Sequence, residues 1–173
     1  MIRQLGAHEG KEVVFGFDRY LEPELGDYLE VLSHYGAVVL EVDAQELHYL
    51  SSAQRVCERV QGSPSAVGVL SCGTGMGMSI AANKFRSIYA ARCVTVEDAK
   101  LARSINNANV LCIASISGMA LNAQIIDEFM RTPFEGRKLE QLEYIAQFEL
   151  DASPAPAVAE RRVDAPRILQ KTA

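Results

Sequence analysis

The chain has 173 residues, 49% hydrophobic and 23% charged, with a formal net charge of -5. That length carries one domain with a substantial core, and the acidic balance without a dense Lys/Arg stripe argues against a nucleic-acid surface. No apolar run reaches the ~20 residues needed to span a bilayer, and MIRQLGAHEGKE lacks a signal peptide's apolar stretch, so a cytoplasmic protein with no membrane partner is expected.

Glu12 to Phe17 reads as a first strand, ended by Asp18-Arg19. Pro23 can open a helix, in which Leu25, Tyr28, Leu29 and Leu32 recur at helical spacing up to Tyr35, and Gly36 stops it. Ala37 to Val42 is a second strand, and a helix over about Ser51 to Val60 turns Val56, Cys57 and Val60 inward. After the turn Gly62-Ser63-Pro64-Ser65, a third strand runs from Ala66 into Cys72. Ile88 to Cys93 is a fourth strand; Thr95 then caps a helix to Ser104, with Asp98 at the capping-box distance. Asn109 to Ala114 is a fifth strand, followed by helices over Met119 to Met130 and Leu139 to Phe148.

Strands rich in Val, Ile and Ala alternating with helices predict a Rossmann-like three-layer α/β/α fold around a five-stranded parallel sheet. One domain is expected over 1–150. Residues 151–173, Pro/Ala-rich and without periodicity, read as an extended arm or flexible tail. Four cysteines, Cys57, Cys72, Cys93 and Cys112, lie amid apolar sequence with no CxxC pair and read as free thiols, three of them core residues.

The exception is Cys72, which begins Cys72-Gly73-Thr74-Gly75-Met76-Gly77-Met78-Ser79 between the third strand and a following helix. Glycines allow successive N–H groups to converge on an anion, and a thiolate beside them is an acceptable base. The glycine turn follows the third strand and the first strand ends in Gly16-Phe17-Asp18-Arg19-Tyr20, so the dinucleotide fingerprint is absent. His8, His34 and His48 form no metal-ligand spacing, although His48 could enter a pocket from the loop after the second strand.

The run from Cys72 to Lys84 closely resembles the signature of the ribose-5-phosphate isomerase B and galactose-6-phosphate isomerase (LacA/LacB) family. Gly16-Phe17-Asp18, Ala102-Arg103 ahead of Asn106-Asn107-Ala108-Asn109-Val110, and Thr132-Pro133-Phe134-Glu135-Gly136 support the resemblance, which covers about residues 11–148. It implies reversible aldose–ketose isomerisation of a sugar phosphate or sugar acid through a cis-enediolate, without metal or organic cofactor. It also implies a homodimer or dimer of dimers, with sites near the subunit interface. By resemblance, Cys72 is the base and Thr74 assists proton transfer at a substrate oxygen. The N–H groups around Gly73, Gly75 and Gly77 hold the enediolate, and Asp18 and Asn106 hold hydroxyls. Met76 and Asn107 are further candidate substrate contacts, while Arg19, Arg137 and Lys138 are candidate anion ligands.

Departures from the family pattern concern the substrate. Ile105 stands where ring-opening members carry His, Arg19 follows Asp18 in place of His, and Ile116 falls where an Arg is common. Leu139 and Leu142 interrupt the usual basic pattern after Arg137-Lys138. Loss of a ring-opening base is tolerable for an open-chain substrate, which favours a small phosphorylated sugar such as a tetrose phosphate. A 4-deoxy-5-ketouronate, a hexose 6-phosphate, or a non-catalytic role beside a paralogous isomerase subunit are the alternatives.

Overall fold

The computed structural model describes residues 5–42, 45 and 47–149. Five strands, β1 (Glu12–Phe17), β2 (Val38–Leu40), β3 (Ala66–Cys72), β4 (Ala90–Arg92) and β5 (Val110–Ala114), form one parallel sheet in the order β2-β1-β3-β5-β4. The helices are α1 (Leu25–Ser33), α2 (Tyr49–Gly62), α3 (Met76–Ala82), α4 (Val96–Ser104), α5 (Met119–Arg131) and α6 (Leu139–Phe148). The predicted three-layer α/β/α architecture is the observed one.

Each face of the sheet has its own core. Val13, Phe15, Val67, Val69, Leu111 and Ile113 point toward the apolar sides of α1, α4 and α5, supplied by Tyr28, Leu32, Ala99, Ile125 and Phe129. Val14, Leu70, Cys72, Val110 and Cys112 point the other way, toward Ala53, Val56 and Cys57 of α2 and Met78 and Ala82 of α3. β3 is buried along its whole length, which explains why it reads as a continuous apolar run rather than an alternating one. All four cysteines are buried as free thiols.

Boundaries differ where local signals are weak. Pro23 lies inside a 3-10 turn, Arg19–Glu24, rather than opening α1. β2 and β4 are three residues each, and α2 is longer than expected at both ends. α3 begins at Met76, directly after the glycine turn. The predicted Thr95 cap is present with both arms of the capping box: Asp98 N–H donates to Thr95 Oγ1 at 3.1 Å, and Thr95 N–H to Asp98 Oδ2 at 3.0 Å. The expected arm over 151–173 lies outside the described residues.

β1 leads outward to β2 while β3 lies on β1's other side, so successive connections diverge between β1 and β3. A crevice at the carboxyl ends of the two strands where connections diverge is where such sheets bind ligands. Here those ends carry Asp18 and Cys72.

Candidate active site

β3 ends at Cys72, whose backbone lies opposite Ala114 of β5. Its side chain is 6% exposed and belongs to the core on the α2–α3 face. Beyond it the chain turns sharply. Gly75 has φ +70°, a conformation that strains an L side chain, and a Cβ there would stand 3.0 Å from the Ile113 carbonyl oxygen. A Cβ on Gly77 would meet the Tyr49 ring at 2.8 Å. Gly75 is therefore dictated by both the turn and close approach, whereas Gly77, already inside α3, answers only to the closeness of the Tyr49 ring.

The turn after β5 and the last residue of β4 hold this turn by its carbonyls. The Ile116 N–H donates to the Gly73 carbonyl at 3.3 Å, and Arg92 Nε donates to the Thr74 carbonyl at 2.7 Å. The Met76 N–H reaches Thr74 Oγ1 only at 3.4 Å, beyond the usual range for a firm N–H···O bond, so the Thr74 hydroxyl is only weakly engaged.

Asp18 stands beside this turn because β1 pairs with β3 along its whole length, and the Asp18 N–H donates to the Ser71 carbonyl at 3.1 Å. Burial pushes its carboxyl above the usual carboxylate range. Opposing that shift are the N–H groups of Tyr20 and Gly73 and the positive potential of Arg19 and His48. The Tyr20 N–H bonds Asp18 Oδ1 at 3.1 Å. Arg19 is exposed and tied by its N–H to the Leu47 carbonyl at 3.2 Å. His48 caps α2 through Nδ1, which accepts from the Leu50 N–H at 3.3 Å, and its ring lies 4.8 Å from that of Tyr49. His48 thus belongs to the neighbourhood of Asp18, brought there by its place after β2.

A cavity of about 390 Å³ opens over the same edge, lined by Tyr20, Pro23, Glu24, Gly73, Thr74, Ser115 and Ile116. Its wall is largely apolar, with Ile116 78% and Tyr20 71% exposed, and none of its lining side chains is Lys or Arg. Cys72 is not part of that lining; it lies just before the wall, on the sheet's other face. Met76 is exposed at the first turn of α3.

The remaining candidates lie at the opposite edge. Gly68 pairs with Val110 and Cys72 with Ala114, so the start of β5 is four residues, about 13 Å, from the level of Cys72. Asn106 is exposed and Asn107 buried in the turn before β5. Asn107 takes φ +48° and accepts a bond from Arg103 Nη1 at 3.0 Å. Arg103, fully buried, also donates to the Ala108 carbonyl at 2.6 Å and to the Gly6 carbonyl at 3.0 Å. Gly6 bridges to Phe134, and the exposed Arg137 and Lys138 follow that bridge. Within one protomer, then, Asp18, Arg19, Cys72, Gly73, Thr74, Gly75, Met76 and Gly77 come together, and Asn106, Asn107, Arg137 and Lys138 form a separate group.

Arg92 is the residue that sequence reasoning missed. It reads as an ordinary end of a short strand, and only the strand order brings β4 within reach of the turn after β3. Among the described residues, no group of three or more His, Cys, Asp or Glu side chains is arranged to hold a metal ion, and no helix is long and apolar enough to cross a membrane.

A five-stranded parallel sheet with a cysteine-led glycine turn at its switch point defines a Rossmann-like α/β domain. The model of the ribose/galactose isomerase family matches residues 19–145, and the chain belongs to that family. It is 34% identical to the ribose-5-phosphate isomerase B of Escherichia coli over 140 residues, 76% of this chain and 91% of that protein. Identity to DNA damage-repair/toleration protein DRT102 of Arabidopsis thaliana is 39% over 109 residues, 61% of this chain and 35% of that protein. The 4-deoxy-4-sulfo-D-erythrose isomerase of a Clostridium species is 36% identical over 88 residues, 50% of this chain and 55% of that protein. The chain therefore spans only about a third to a half of the latter two. Among solved structures, the type B ribose 5-phosphate isomerase of Trypanosoma brucei superposes with a TM-score of 0.75 at 32% identity, covering 81% of this chain and 99% of that one.

Proposed function

We propose that this protein interconverts an aldose and a ketose of a small, open-chain phosphorylated sugar through a cis-enediolate, with Cys72 as the base. The observation that carries this reading is the fixed turn from Cys72 to Gly77, with Asp18 beside it. The Cys72 thiolate takes the proton from C2 of the aldose, the electron pair forms the C1–C2 double bond, and negative charge develops on O1. The thiol returns the proton to C1, while the O2 proton leaves and O1 is protonated, with Thr74 assisting at oxygen. Preorganised N–H groups at Gly75 and Gly77 stabilise the developing oxyanion, the largest single contribution in reactions of this kind. Asp18 orients a hydroxyl.

The open-chain preference rests on Ile105, which stands where ring-opening members carry His and offers no proton-transfer group. Arg19 is the candidate anion ligand at the carboxyl edge. We infer that the exposed Asn106, Arg137 and Lys138, which lie at the edge opposite the Cys72 turn, act across a dimer interface, while Asn107, buried and bonded to Arg103, supports the turn beside Asn106. Exposed Met76, Ile80, Ile116, Tyr144 and Phe148 provide apolar surface for such an association. A sulfonated four-carbon sugar is the second reading, favoured by the likeness to the 4-deoxy-4-sulfo-D-erythrose isomerase.

Proton–deuterium exchange in D2O, followed by NMR, tests the proposal. The panel comprises erythrose 4-phosphate, erythrulose phosphates, ribose 5-phosphate, allose and galactose 6-phosphates, 4-deoxy-5-ketouronate and 4-deoxy-4-sulfo-erythrose. Deuterium at C1 or C2 with wild type but not with Cys72→Ala is the expected result and identifies the substrate. No exchange by folded, dimeric protein on any compound overturns it in favour of binding alone or a missing paralogous subunit.

A further inference from the structure

We propose that Arg92 is a positioning residue that sets the direction of the Thr74–Gly75 peptide and so the anion affinity of the glycine turn, an inference that rests on the isomerase reading for its catalytic consequence. β4 is the outermost strand beyond β5, and Arg92, its last residue, reaches back across β5 to the turn that follows β3. Its Nε donates to the Thr74 carbonyl at 2.7 Å, the short length of a charge-assisted bond. In a planar trans peptide the carbonyl and the next N–H point in opposite directions. With the Thr74 oxygen held toward β4, the Gly75 N–H is aimed away from β4, toward the β3 and β1 ends where Cys72 and Asp18 lie.

Three further contacts make this direction a matter of one bond. The Gly73 carbonyl is held by the Ile116 N–H, and there is no room for a Cβ on Gly75, which would stand 3.0 Å from the Ile113 carbonyl oxygen, or on Gly77, which would stand 2.8 Å from the Tyr49 ring. Those contacts fix the ends of the turn, and the Thr74–Gly75 unit between them is held by a side chain. A guanidinium on the carbonyl also polarises the same peptide, making its N–H a stronger donor. Arg92 itself is exposed at the sheet's edge, so replacing it removes little packing.

The test compares Arg92→Met and Arg92→Lys with wild type by three measurements. These are the Gly75 amide resonance with and without inorganic phosphate, kcat and KM on the substrate found by exchange, and the thermal midpoint. In Arg92→Met the Gly75 resonance is expected to move and its response to phosphate to weaken. A fall in kcat of about 10-fold to 100-fold is expected, somewhat less than removal of an oxyanion donor. KM should change by less than about three-fold and the midpoint should hold, as uniform binding and the fold are untouched. Arg92→Lys, which keeps a cationic donor, should recover part of the loss.

An unmoved Gly75 resonance, or unchanged kcat in an active enzyme, overturns the inference. So does a joint fall of kcat and the midpoint without rescue by Lys. If wild type is inactive on every substrate, the isomerase reading fails. The Gly75 response to phosphate then decides alone whether Arg92 orients the turn.

Discussion

Arg103 and Asn107 form a buried pair in which a guanidinium Nη1 holds a side-chain oxygen at 3.0 Å while the asparagine backbone sits at φ +48°. The same guanidinium bonds the carbonyls of Ala108 and Gly6 and lies over the Phe129 ring at 5.8 Å. Its charge is solvated in part by carbonyl dipoles and an aromatic face. Burial correspondingly lowers its pKa to about 10, which leaves it protonated at neutral pH. Arg103→Met should cost about 1–3 kcal/mol, because the buried Asn107 Oδ1 loses its donor, while the Ala108 carbonyl keeps His8 Nε2 and the Gly6 carbonyl keeps the Phe134 N–H. Arg103→Lys should recover only part, since an ammonium cannot reproduce the fork. Urea denaturation measures both, and a loss below about 1 kcal/mol for Met would refute this account.

Gly75→Ala addresses the turn from within. The left-handed backbone and the 3.0 Å approach to the Ile113 carbonyl both oppose a methyl group. A loss of about 1–3 kcal/mol is expected from the strained conformation, together with a large fall in isomerase turnover. Full activity in the alanine variant would show that the turn tolerates a different geometry.

Asp18→Asn separates stability from activity. A carboxyl whose pKa is raised by folding binds its proton more tightly in the native state, so its ionisation opposes folding as pH rises through the interval between unfolded and folded values. At neutral pH the asparagine variant should therefore be more stable, while its isomerase rate falls. Parallel denaturation and exchange measurements check this, and a variant that is both less stable and fully active contradicts it.

His8 makes the fold sensitive to acid. Its imidazole is buried, donates from Nε2 to the Ala108 carbonyl at 3.0 Å, and faces Phe129. Desolvation first, then the charges of Arg103 and Lys11, lower its pKa to about 3. Between an unfolded value near 6.5 and that figure, the unfolded chain binds a proton that the native chain refuses, so stability falls as pH drops through this window. A slope of about 1.4 kcal/mol per pH unit is expected from this group. His8→Gln, which keeps a donor for Ala108, should flatten that part of the curve. An unchanged slope would assign the acid sensitivity to the carboxylates instead.

Much of this architecture was legible in the sequence because its signals are local. β1 and α6 fall where the apolar pattern put them, and the Thr95–Asp98 capping box needs only four residues to specify it. The glycine turn after Cys72 was legible for the same reason. Less so was the turn at Pro23, where a proline compatible with the first turn of a helix is equally compatible with 3-10 geometry.

What the sequence by itself determined is the alternation of strands and helices, the family resemblance and the cysteine-led turn, all properties of short contiguous segments. Only the tertiary structure decided which strand lies beside which. That order brought Arg92 of β4 to the Thr74 carbonyl and His48 toward Asp18, and left Asn106 and Arg137 at the far edge from Cys72. These relations depend on how separate segments pack around a common core, through apolar burial that is non-directional, and no local pattern encodes the partners it selects.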